Sequence, residues 1–595
     1  MASDPARRPA VPAPSLSSAA RALSPLGVAA VVLAAARVAA ARSLVPGLGV
    51  FTGAPGAALL VLAALVSLGR LVRRRPRLPA LPPWALFAAA AVLASAVALR
   101  YVRAAGPSGD EIDYLMMAQS VWREGDLDLR DNFARGDYRE YMGGYGRMPG
   151  GTRRADGRSY PTHSAGLSVL LAPAYALGGR RGCVVLLALV AAGLGLLVRD
   201  LARRSGADES SALLGWAATV GPPVLYYSAF LYTEVPAAFA IALALRLLLV
   251  SPGPWAAAGA ALALSALPWL HVRMTLAAAA LGAFAAVSLR GRARVAFLAT
   301  AAAMAAAYAG YQYSVFHTLS PYARYAGRMP IPMARSTPLR TLFGLFLDGA
   351  YGLLPYAPVF LIALAGLPLL LRSGRRDRWA LLAAGLGVLL PVLGWRNWWG
   401  FSPPARFTIP LVPVLAIAAA ARLGAAPGRG LARWRWVLAA AGIGLALLMF
   451  AKPRAMGMIN GREGRSQVFE LVAGDVALSR YFPYPSSRAG STAPPWEPPA
   501  SEARVMAVWV AALAALLVLD RLAWSRDRVD RWFRGIALPV LLFLALSVAV
   551  DGWARHDATD RSRARESMRV NDPSLSDPSL SRQGGRPGRT HSDHS

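Results

Sequence analysis

Apolar residues fall along this chain in blocks of about twenty, separated by short polar stretches. An α-helix rises 1.5 Å per residue, so about 20 residues cross the ~30 Å hydrocarbon layer of a bilayer. Residues 1–22 are rich in Pro, Ala, Ser and Arg and lack periodicity; they read as a disordered cytoplasmic N-terminus. The first block, Leu23 to Ala41, is interrupted by Arg37 and has no clear cleavage site, which makes it an uncleaved anchor. Further windows lie near 54–69, 81–102, 182–198, 210–227, 235–250, 255–270, 273–289, 295–315, 346–371, 378–395, 408–421, 436–451, 505–519 and 535–551. The pattern predicts an all-α polytopic membrane protein of about 13–15 spans, with short helices in its loops. One apolar piece, Gly166 to Gly178, contains Pro173 and is too short to cross; it is expected to dip into the outer leaflet and return.

Charge orients this array. Lys and Arg number 64 against 32 Asp and Glu, a net charge of +32, and Lys452 is the one lysine. The arginines gather at every second boundary: Arg70 to Arg77, Arg199 to Arg204, Arg290 to Arg294, Arg372 to Arg378, Arg422 to Arg435 and Arg521 to Arg534. Cytoplasmic loops carry such an excess, so the opposite boundaries face outward. The outer loops are then 103–165, 316–345 and 452–504. The organisation expected is a transmembrane core over 23–451 that includes the 103–165 loop, the 452–504 loop, C-terminal helices in 505–552, and a disordered polar tail over 553–595.

Composition excludes several classes. With 55% apolar residues, 16% charged and a mean hydropathy of +0.40, a soluble protein is ruled out. The basic clusters sit between apolar runs rather than on one face interleaved with aromatics, so an anionic membrane surface is the expected partner and nucleic acid is not. Cys183 stands alone, which excludes an internal disulfide, and His163, His271 and His317 form no clustered ligand set.

The outer loop 103–165 opens with Gly109-Asp110-Glu111-Ile112-Asp113-Tyr114, directly after a span, and holds ten of the 32 acids. Adjacent carboxylates at a membrane boundary, where the dielectric falls, have tunable ionisation and suit a general base. The same pair also suits a helix start, with Asp110 as the capping residue and the macrodipole favouring both charges. Asp110, Glu111 and Asp113 offer oxygens to a divalent cation, but their spacing does not bring all three to one ion, so metal dependence is open. Glu234, followed by Pro236 between two apolar runs, is expected to face the bundle interior, acting in function or pairing with Arg273. His271 reads as a hydrogen-bonded structural residue, His163 has no assignable partner, and Asp348 is ambiguous.

The acidic pair followed by Tyr114, Ala118 and Gly125 resembles the first periplasmic loop of GT-C glycosyltransferases, the polyprenyl-phosphate-sugar-dependent membrane enzymes that include protein O-mannosyltransferases and aminoarabinose transferases. Tyr160-Pro161-Thr162-His163-Ser164-Ala165-Gly166 looks like the family's link back into the bilayer, and Tyr226-Tyr227-Ser228 with Thr233-Glu234-Val235-Pro236 like its second outer turn. Gly352-Leu353-Leu354-Pro355-Tyr356-Ala357-Pro358 and Trp398-Trp399-Gly400-Phe401-Ser402-Pro403-Pro404-Ala405-Arg406-Phe407 are similar to segments of bacterial members, although Phe401 and Pro404 replace small residues there. The likeness spans roughly residues 81–485.

The resemblance implies a GT-C-like bundle that moves a sugar from a polyprenyl-phosphate donor to a glycan, lipid or protein acceptor on the outer face, with inversion. Asp110 matches the family's catalytic acid and would be the base, with Glu111 orienting the acceptor or holding a cation. The departing phosphate needs a cationic clamp, for which Arg406, Arg396, Arg324 and Arg328 are candidates; each also suits snorkelling to headgroups. Tyr114, His163, Glu234, Trp398 and Trp399 are candidate substrate contacts, the tryptophans having an interface-belt explanation as well. A lipid-linked-saccharide flippase or transporter and a polysaccharide polymerase or ligase are the rival readings. Alanine- and arginine-rich usage suggests a bacterial inner or plasma membrane.

Overall fold

The computed structural model describes residues 16–53, parts of 56–67, 81–107, 109–142, 151–153, 157–250, 253–323, 338–372, 377–393, 402–426, 428–453, 469, 482–483 and 500–525. The windows near 535–551, most of 54–69 and of the 452–504 loop, the tail 553–595, and Arg324, Arg328, Arg396, Trp398 and Trp399 lie outside these residues. What is described is almost entirely helical. One small antiparallel sheet pairs Gly151–Arg153 with Ser159–Pro161, Thr152 opposite Tyr160.

Among the described residues, five helices are long and apolar enough to cross a bilayer: Pro83–Ala104, Gly166–Arg204, Gly291–Phe316, Arg406–Ala425 and Val505–Ala523. Six apolar helices of 10–17 residues accompany them. The chain is an α-helical multi-pass membrane protein, but its helices are more often broken than the apolar windows imply. The window 346–371 shows why. Its helix stops at Leu347, Gly349 to Ala357 form turns, Pro358–Phe360 make a 3-10 turn, and the helix resumes as Leu361–Arg372. Apolar composition marks burial, whereas Gly349, Gly352, Pro355 and Pro358 deny the helix its backbone continuity. The N-terminus departs in the other direction. A helix, Leu16–Arg37, begins inside the segment expected to be disordered, because Ala, Leu and Arg favour helix even without apolar periodicity.

The short apolar piece 166–178 does fold back. The Gly166–Arg204 helix is interrupted at Gly178 and Gly179, and Gly179 has φ +55°, a left-handed conformation that a Cβ would strain. Beyond the break the chain reverses so tightly that a Cβ on Gly182 would stand 2.0 Å from the Ala174 carbonyl oxygen. Only glycine allows that approach.

Alternating helix directions divide the bundle into two ends. At one end Arg204 approaches Asp377 at 3.9 Å, and the buried Arg422 grips Asp520 through Nε (3.1 Å) and Nη2 (2.8 Å). Leu431 N–H also donates to Asp520 at 2.7 Å. Between the ends runs a continuous core of Leu, Ile, Val and many fully buried alanines, among them Ala188, Ala242, Ala260 and Ala416, whose small side chains let backbones approach. Asp520 fastens the Ala500–Ser525 helix to this core. Asp520→Ala strands a buried guanidinium, a loss of about 3–5 kcal/mol. Hydrogen exchange of that helix should rise well above wild type.

Candidate active site

At the other end, the Glu111–Arg123 helix packs on the Gly166–Arg204 helix, with Ser168 Oγ donating to the Tyr114 carbonyl at 3.0 Å. Glu111 and Asp113 occupy its first turn, where the positive end of the helix dipole favours carboxylates. Asp110 holds the cap position yet makes no capping hydrogen bond. Its carboxylate turns instead to Arg406, with Nη2 2.5 Å from Oδ2. Capping therefore does not account for Asp110.

Arg406 is delivered by a tightly held turn. The Asp348 carboxylate accepts from Ala350 N (2.8 Å) and Tyr351 N (3.1 Å), and the Tyr351 carbonyl accepts from Ala405 N (2.9 Å). Tyr227 donates its hydroxyl to the Pro403 carbonyl at 2.5 Å, and Tyr226 to that of Pro404 at 3.3 Å. Ala405 itself stands at φ +65°, a strained conformation for a residue with a Cβ. The preceding turn thus holds Arg406 where it meets two acids.

The second acid is Glu234, fully buried, whose Oε1 accepts from Arg406 Nε at 2.8 Å and from Arg273 Nη2. Asp110, Arg406, Glu234 and Arg273 thus form one chain of alternating charge. The Arg406 guanidinium lies 4.2 Å over the Tyr232 ring, and that of Arg273 4.2 Å over Phe407. Arg273 Nε and Nη1 are buried and have no hydrogen-bond partner among the described residues, and neither has Glu234 Oε2.

His163 joins from the loop. Asp128 accepts from Ser159 N at 2.8 Å, and Leu129 N donates to the Ser159 carbonyl at 2.8 Å, so the acidic loop secures the strand that leads to His163. His163 Nδ1 meets Asp113 Oδ2 at 2.6 Å, Nε2 lies 3.4 Å from Asp110 Oδ1, and the ring sits 5.2 Å from that of Tyr114. Burial works against the imidazolium, but Asp110 and Asp113 outweigh it and lift its pKa to about 10. For Asp110, burial raises the carboxyl pKa, and the opposing pull of Arg406 and His163 holds it well below the usual carboxylate range.

Because the folded His163 pKa lies above its ordinary 6.5, the site's stabilisation by this proton is complete below that pH and is lost as pH rises through about 10. Thermal unfolding in detergent should therefore fall progressively across that interval. In His163→Gln that component of the slope should vanish.

Glu111 is fully buried and has partners other than Arg406. Its Oε1 accepts from Leu231 N at 3.2 Å and lies 3.6 Å from Arg180 Nη2. Of the residues singled out in sequence, Asp110, His163, Glu234 and Arg406 are drawn together, with Tyr114 against His163, whereas Arg324, Arg328, Arg396, Trp398 and Trp399 fall outside the described residues. Sequence reasoning paired Arg273 with Glu234 but did not count it in the site, and it missed Arg180. Arg273 follows His271 at an outward boundary, a signal that could have been weighted as heavily as Arg406. Among the described residues no three His, Cys, Asp or Glu side chains are grouped to hold a metal ion.

No protein-family model and no curated protein matches this chain. Among solved structures it is similar to ArnT from Cupriavidus metallidurans in the apo state, with TM-score 0.40 and 16% identity over 78% of this chain and 76% of that one. The same protein bound to undecaprenyl phosphate gives TM-score 0.38 and 15% identity over 82% of this chain and 79% of that one. The archaeal oligosaccharyltransferase AglB from Archaeoglobus fulgidus, in complex with an inhibitory peptide and a dolichol-phosphate, gives 0.36 and 13% over 72% and 63%.

Proposed function

We propose that the protein is an inverting glycosyltransferase that takes a sugar from a polyprenyl-phosphate donor and passes it to an acceptor hydroxyl on the outer face of a bacterial membrane. One observation carries the reading: a carboxylate, Asp110, and two buried guanidiniums, Arg406 and Arg273, converge at the end of the bundle opposite the arginine clusters. Such a transfer needs both charges together. The acceptor hydroxyl loses its proton to Asp110 as its oxygen attacks the anomeric carbon. On the opposite face of that carbon the bond to the phosphate oxygen breaks, and the electron pair leaves with the phosphate.

Arg273 offers the unpartnered N–H groups that a phosphate requires, while Arg406 is already engaged by two acids. A donor phosphate that draws Arg406 toward itself relieves Asp110 of its cation, and the carboxylate becomes a stronger base as the donor arrives. His163, held by Asp113, keeps Asp110 oriented. Arg273→Met should weaken donor binding about ten- to a hundredfold, the value of ~1.5–3 kcal/mol for a hydrogen bond to a charged group. A KM for the labelled donor equal to wild type would remove Arg273 from the clamp.

The reading is tested by supplying membranes with a polyprenyl-phosphate donor labelled in its sugar. Release of polyprenyl phosphate with label on a new acceptor is expected. Movement of intact donor across the bilayer without bond cleavage would make the protein a flippase instead.

A further inference from the structure

Beside the Asp110 site lies a separate cleft of about 500 Å³, between the C-terminal end of the Pro83–Ala104 helix and the fold-back at Gly178 and Gly179. Arg103, Arg180 and Arg181 line it, with Tyr141 and Glu140. Arg103 and Arg181 are exposed, but the Arg180 side chain is only 8% accessible. Its Nη1 donates to the Ala105 carbonyl at 2.7 Å, and its guanidinium lies 5.6 Å from the Tyr101 ring centroid. Its Nε and Nη2 have no hydrogen-bond partner among the described residues, Glu111 standing off at 3.6 Å. The buried Tyr141 hydroxyl has none either. Glu140, the acid in the lining, is engaged by Arg123 at 3.2 Å and Gln119 at 3.5 Å. Donors therefore exceed acceptors in this cleft, a condition that a bound anion with several oxygens would relieve.

We propose that this cleft is a second anion subsite, built for a phosphate group carried by the acceptor. The inference rests on the transferase reading and adds the class of acceptor. Arg180 Nη2 lies 3.6 Å from Glu111, the neighbour of Asp110 in the chain, so a phosphate held by Arg180, Arg181 and Arg103 tethers its molecule near the base. The donor phosphate is met separately, by Arg406 and Arg273. Two separate anion sites, one built on Arg406 and Arg273 and the other reaching Asp110's neighbour Glu111 through Arg180, would hold donor and acceptor apart at their charged groups and together at the reacting hydroxyl.

Binding is measured with the full chain in phosphatidylcholine nanodiscs with or without phosphatidic acid as the phosphomonoester probe, read by native mass spectrometry on an Asp110→Asn background. This readout needs no turnover, so it stands or falls apart from the transferase reading. Retained phosphatidic acid is expected, falling at least tenfold in Arg180→Gln/Arg181→Gln and also in Arg103→Gln/Arg181→Gln, whose replaced side chains are exposed and less needed for folding. Arg292→Gln, at the opposite end, should leave retention unchanged. Inorganic phosphate in solution distinguishes the source: failure to displace the lipid supports a lipid-borne acceptor, and full displacement supports a soluble phosphorylated one. Equal retention by wild type and both double variants overturns the proposal.

Discussion

Membranes carrying Asp110→Asn should transfer sugar about 10²–10⁴ times more slowly than wild type, the range that a positioned general base contributes. The change keeps the shape and one acceptor oxygen, removes the charge and the basic lone pair, and turns the oxygen that faces His163 into an amide donor. Folding should survive it, because Arg406 retains Glu234 at 2.8 Å and an asparagine oxygen still accepts from Nη2. The expected signature is a fall in kcat far larger than the modest drop in unfolding temperature that follows from losing one charge partner of Arg406 and His163. Donor binding should hold or tighten, since Arg406 is then freer to meet phosphate. Label transfer at the wild-type rate would remove Asp110 as the base.

Glu234→Gln should act in the opposite sense, on stability first. Glu234 is fully buried and compensates two guanidiniums at once, with Oε1 shared between Arg273 and Arg406. Neutralising it leaves Arg273 without an acid partner among the described residues and sets two like charges side by side in a medium that screens them poorly. Removing one member of a buried ion pair costs about 3–5 kcal/mol. Thermal unfolding in detergent should drop by many degrees, and Glu234→Asp, which keeps the charge on a shorter stem, should recover part of it. An unfolding temperature equal to wild type would mean that the arginines do not depend on Glu234.

Much of the architecture was legible because its physical causes are local. Apolar windows mark burial, arginine clusters mark one side, and the two agree along the chain from Arg199 to Arg435. Even the return of the 166–178 segment could be read, from its length and Pro173. Helix continuity was less legible. Asp348 to Ala357 is as apolar as a span, yet it forms turns that hold Ala405 and hence Arg406.

The candidate site divides the same way. Asp110 and Arg406 were visible from charge, position and motif likeness, 296 residues apart. That they touch was not, and neither was the meeting of His163 with Asp110 and Asp113. Glu234 could be argued inward because a lipid-facing acid is costly, but its sharing between Arg273 and Arg406 depends on three helix ends converging. Arg180 gave no sequence signal at all, since an arginine after two glycines reads as one more interface cation.

By itself, then, the chain's order of residues determined that it enters the membrane, which ends of its helices carry the cations, and which acids stand at the opposite ends. Those properties follow from transfer free energies and charge asymmetry, which act on each segment independently. Tertiary structure alone decided which acid meets which guanidinium, that the Asp110 carboxylate turns to Arg406 rather than capping its helix, and that a cationic cleft opens around Arg103, Arg180 and Arg181. Pairing of charges depends on distances between helices remote in sequence, and only the packed bundle sets them.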